Sequence, residues 1–72
     1  MAAARSALEA DRALHDAARA GDAAAVRAAL ARGARVDTKA ERGGRTPLYM
    51  AAQGGHHEAV TALIAALRLR IH

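Results

Sequence analysis

Apolar positions along the chain fall into two helical patterns, each broken by glycine. Ala10, Ala13, Leu14 and Ala17 lie at helical spacing, and Gly21 follows as a helix-stopping residue. Asp22 then stands as an N-cap for a second run over 23–31, because its carboxylate can accept from backbone N–H groups left open at a helix start. Val26, Ala29 and Leu30 form the apolar stripe of that run, and Gly33 stands where a left-handed residue would end it. The pattern returns at Thr46, which reads as an N-cap, with Pro47 at N1, where its missing N–H is no loss. Leu48, Ala51 and Ala52 face one side, Gly54 and Gly55 make a turn, and Val60, Leu63, Ile64 and Leu67 give the strongest stripe in the chain. Between the two patterns, 33–45 carries Gly, Asp, Thr and the pair Gly43-Gly44, which predicts a projecting turn or hairpin-like loop. The expected core is Leu14, Val26, Leu30, Val36, Leu48, Val60, Leu63 and Ile64.

The two patterns are copies of one another. Shifting the chain on itself by 34 positions lays Leu14 on Leu48, Ala17 and Ala18 on Ala51 and Ala52, and Gly21 on Gly55. The same shift lays Ala25 on Ala59, Val26 on Val60, Ala28 on Ala62, and Leu30 on Ile64. A period of this length signals a repeat architecture, in which each unit is a pair of short antiparallel helices.

The residues that carry the period resemble the ankyrin repeat family. Gly44-Arg45-Thr46-Pro47-Leu48-Tyr49-Met50-Ala51-Ala52-Gln53-Gly54-Gly55-His56 is similar to the G-x-T-P-L-H-x-A-A-x-x-G-H signature, with Tyr49 where histidine is usual. Glu58, Val60, Leu63 and Ile64 resemble the second-helix pattern E-x-V-x-x-L-L. The first unit keeps Leu14-His15-Asp16-Ala17-Ala18-Arg19-Ala20-Gly21 but has Arg12-Ala13 in place of Thr-Pro. Its end, Leu30-Ala31-Arg32-Gly33-Ala34-Arg35-Val36-Asp37, resembles L-x-x-G-A-x-V-[ND]. Two departures stand out: the period is 34 where 33 is usual, and Leu67 replaces the glycine that ends the first unit.

What the resemblance implies is an all-α fold of ankyrin-type helix–turn–helix repeats forming a short solenoid. The expected organisation is an N-terminal extension over 1–10, helical or frayed, two repeats over 11–44 and 45–66, and an atypical basic tail over 67–72. The implied function is a non-catalytic protein–protein interaction module in an intracellular setting, cytoplasmic or nuclear, standing alone or as a fragment of a longer array. By matching positions, partner contacts are expected at Arg42 and Arg45 in the loop, Met50 and Gln53 on the second unit, and Asp16 and Arg19 on the first.

Composition adds a constraint on stability. The chain has 72 residues, and of its apolar ones 23 are alanine and 15 are larger. Alanine suits closely approaching helices and has the best helix propensity, but it builds a thin core. Repeat stacks generally need at least about three units. A marginal monomer is therefore expected, with another protein as partner or with self-association through the uncapped second repeat, beside Val60 and Ile64. Without cysteine, neither disulfides nor thiolate metal sites can supplement the core.

Charge raises one alternative. The net charge is +4, carried by ten arginines and one lysine, which admits a basic helical peptide that binds nucleic acid or an anionic membrane surface. Placement disfavours it: Arg5, Arg12, Arg19, Arg27 and Arg32 alternate with Glu9, Asp11, Asp16 and Asp22, the pattern of a solvated mixed-sign surface. A single aromatic cannot form a base-stacking platform. Met1 to Ser6 has the Ala, Arg and Ser character of an organellar transit peptide, but the acids that follow argue against one.

Candidate chemistry is sparse. His15 has no nucleophile beside it, since Ser6 is the only serine, so a structural tie from helix start to loop is expected for His15 and Tyr49. His56 and His57 are adjacent and lack the i, i+4 spacing of a helical two-histidine metal site, so His56 is expected to make a local hydrogen bond. Gly43-Gly44-Arg45-Thr46 lacks the order of a phosphate-binding loop. No cofactor, metal, membrane span or small-molecule substrate is expected.

Overall fold

The computed structural model describes residues 2–37 and 44–70. Four helices follow one another: α1 (Ala2–Ala20), α2 (Ala23–Ala31), α3 (Pro47–Gln53) and α4 (His57–Arg70), with no strand among the described residues. α1 packs on α2 and α3 on α4, and the two pairs stack so that α3 lies on α1 and α4 on α2.

Local chemistry explains each boundary. Asp22 Oδ1 accepts from Ala25 N at 3.0 Å and Thr46 Oγ1 from Tyr49 N at 3.2 Å, so both expected N-caps are formed, with Pro47 in the first turn of α3. The helix ends share one motif. Gly21 N donates to Ala18 O and Asp22 N to Ala17 O; 34 residues on, Gly55 N donates to Ala52 O and His56 N to Ala51 O. α2 ends the same way, through Gly33 and Ala34. In each case the glycine takes a left-handed φ, 77° at Gly21, 101° at Gly33 and 70° at Gly55.

Two differences between the units explain why α1 and α4 are long. Arg12-Ala13 supplies neither the cap nor the proline found at Thr46-Pro47, and the alanines upstream favour helix, so α1 runs unbroken from Ala2. Leu67 stands where a left-handed glycine would stop the chain, so α4 continues to Arg70.

Leu14, Val26, Val36 and Leu63 form the centre of the core, tiled by Ala17, Ala18, Ala29, Ala51, Ala59 and Ala62. Three expected core residues, Leu30, Leu48 and Val60, are only half-buried at its edge. Ile64 departs from the expectation: it is 43% exposed, because α4 has no neighbour on that side. The middle of the connecting loop, 38–43, lies outside the described residues.

Candidate protein-binding surface

Two buried polar residues, Asp11 and His15, lie at the start of the first unit. The alternation with arginine places Asp11 among the solvated charges, yet it is only 3% exposed. Its Oδ1 accepts from Arg35 N at 2.8 Å, and its Oδ2 accepts from Arg35 Nη2 at 3.0 Å and Nε at 3.3 Å. The carboxylate therefore pins the chain leaving α2 to the side of α1. His15 Nδ1–H donates to the carbonyl of Asp11 at 2.9 Å, within its own helix. A tie from helix to loop is made by Asp11.

His56 joins the two units. Its Nε2–H donates to the carbonyl of Arg19 at 3.1 Å, a contact across 37 residues where a local one was expected. That carbonyl lies in the last turn of α1, where intrahelical partners run out. The ring rests over Gly21 and Gly54, and a Cβ on either glycine would collide with it.

Asp16, Arg19 and Gln53 fall on the exposed side of α1 and α3. Asp16 and Arg19 are exposed and paired to each other at 2.7 Å. The 34-residue shift places Met50 opposite Asp16 and Gln53 opposite Arg19, so α3 continues the surface that α1 begins. Gln53 is exposed, whereas Met50 is half-buried and packs against the core. Arg45 is exposed at the N-terminal end of α3, its Cζ 5.5 Å from the centre of the Tyr49 ring. Arg42 lies outside the described residues.

Tyr49, expected to tie the helix start to the loop, stands at the surface. It occupies the position of the buried His15 but is 49% exposed. At this repeat position a larger phenol replaces a compact imidazole.

No helix is long and apolar enough to cross a membrane, and among the described residues no three His, Cys, Asp or Glu side chains cluster as metal ligands. Arg19 and Arg35 hold carboxylates, which draws two cations from any phosphate-binding stripe. Titration with DNA or RNA is expected to give no measurable binding at about 50 mM salt; affinity that falls steeply with ionic strength would instead support the basic-peptide reading.

Two stacked helix pairs, related by a 34-residue shift and closed by matching left-handed glycines, define a short helical repeat protein. Residues 14–64 match the family model for ankyrin repeats (many copies), and the chain belongs to the ankyrin repeat family. No curated protein matches the chain. Ankyrin repeats are generally protein–protein interaction modules, and the family is generally non-catalytic.

Proposed function

We propose that the chain is a non-catalytic module that binds another protein through the exposed side of α1 and α3. The observation that carries this reading is the corner formed by Arg45 and Tyr49, a large exposed aromatic with a guanidinium laid over its ring. Tyrosine and arginine are the side chains that dominate binding hot spots. Their mutual contact also restrains both before a partner arrives, which lowers the entropy lost on binding. Asp16, Arg19 and Gln53 supply polar contacts around the corner, and Met50 supplies an adaptable apolar floor.

Affinity capture with the unaltered chain and with the double variant Arg45→Ala, Tyr49→Ala tests the site, circular dichroism first showing that both are helical. A specific protein partner retained by the unaltered chain is expected to bind the variant at least about tenfold more weakly. Equal retention by the two chains would overturn the assignment.

A further inference from the structure

The internal repeat allows each residue's burial to be compared with that of its copy. Ala18 and Val26 are fully buried and Leu30 half-buried, because the second unit covers them; their copies Ala52 and Ile64 are exposed and Val60 is half-buried. The opposite holds for a second set. Pro47, Ala59 and Ala62 are buried against the first unit, while their copies Ala13 and Ala25 are half-buried and Ala28 is exposed. The chain thus carries both halves of its own inter-repeat interface uncovered, one half at each end.

We propose that these two surfaces pair between copies, the α1–α2 end of one chain seating on the α3–α4 end of the next. Continuity with the internal interface determines the geometry: the incoming Ala13, Ala25 and Ala28 take the places that Pro47, Ala59 and Ala62 take within the chain. Small side chains let the helices approach closely, and Val60 and Ile64 lose water in the contact. The contact is heterologous, so it is open-ended and adds copies by the same step each time. One element of the internal interface is missing from it. The incoming chain presents Asp22 where His56 stands, so no imidazole reaches the Gln53 carbonyl, the counterpart of the Arg19 carbonyl. The junction between copies is accordingly weaker than the junction between repeats, and assembly appears at high concentration.

Sedimentation equilibrium across a wide concentration range reads this directly. The average mass is expected to rise from the monomer value of 7.4 kDa past twice that value. Ile64→Lys blocks one end and Ala28→Glu the other; both positions are exposed in the monomer, so both variants are expected to remain folded. Each variant alone should stay monomeric, whereas an equimolar mixture of the two should stop at the dimer, joined through the one unblocked end of each. If Ala28→Glu still associates and Ile64→Lys does not, the copies meet through like faces and the proposal fails. A monomer at every concentration, with or without a different protein bound to the Ile64 face, overturns it as well.

Discussion

Gly21→Ala is expected to destabilise the chain by about 2 to 3 kcal/mol, through left-handed strain and loss of the His56 hydrogen bond together. The backbone at Gly21 has φ 77°, and a Cβ there would lie 2.6 Å from His56 Cγ and 2.8 Å from Cε1. An alanine therefore meets both an unfavourable conformation and an occupied site. The ring must withdraw, and the Arg19 carbonyl loses its donor. For a domain of this size such a change lowers Tm by roughly 10 to 20 °C, a large part of the stability that so small a core supplies. Gly55→Ala is the control. It has the same handedness, φ 70°, but nothing within 4 Å of the added carbon, so only strain of about 1 to 2 kcal/mol applies. Introducing His56→Ala first should reduce the cost of Gly21→Ala to that of Gly55→Ala. Equal losses from the two glycine variants in the unaltered background would remove the imidazole from the account.

Asp11→Ala is expected to cost about 2 to 3 kcal/mol, the range for hydrogen bonds that involve a charged group in a buried setting. Three donors from Arg35 converge on this carboxylate, and the shortest bond, at 2.8 Å, comes from the backbone. Arg35→Ala leaves that backbone bond intact and removes a guanidinium that is largely exposed, so its cost should stay below about 1 kcal/mol. Asp16→Ala, which breaks the exposed pair with Arg19, should fall within about 0.5 kcal/mol of the unaltered chain. Urea midpoints at constant slope give the order. Should Arg35→Ala prove as damaging as Asp11→Ala, the side chain rather than the backbone amide would hold the loop.

Much of the local architecture is legible in the residues themselves. Asp22 and Thr46 cap the helices they precede, Pro47 opens α3, and Gly21, Gly33 and Gly55 close helices through left-handed turns. These features depend on a few neighbouring residues, for which the rules of capping and backbone sterics suffice. The core positions Leu14, Val26 and Leu63 are legible for a related reason, since helical periodicity and the 34-residue shift select the same side of each helix, while Val36 follows from the segment that ends the first unit. Of the expected contact residues, Asp16, Arg19, Gln53 and Arg45 are exposed, while Met50 is drawn partly into the core.

Other features depend on what lies across the fold. Asp11 and Asp16 are alike in type and both sit among arginines, yet one is buried against Arg35 and the other is solvated beside Arg19. His15 and Tyr49 share a repeat position but not an environment, and Val26 and Val60 are copies with different burial. By itself, then, the sequence determined the repeat, the caps of α2 and α3, the glycine stops and much of the apolar side of each helix, all of which follow from short-range sterics and periodicity. Only the tertiary structure decided that Asp11 holds the loop, that His56 joins the units and that Ile64 is left uncovered. Those outcomes depend on contacts between residues distant along the chain, and on which copy of a repeated face has a neighbour to cover it.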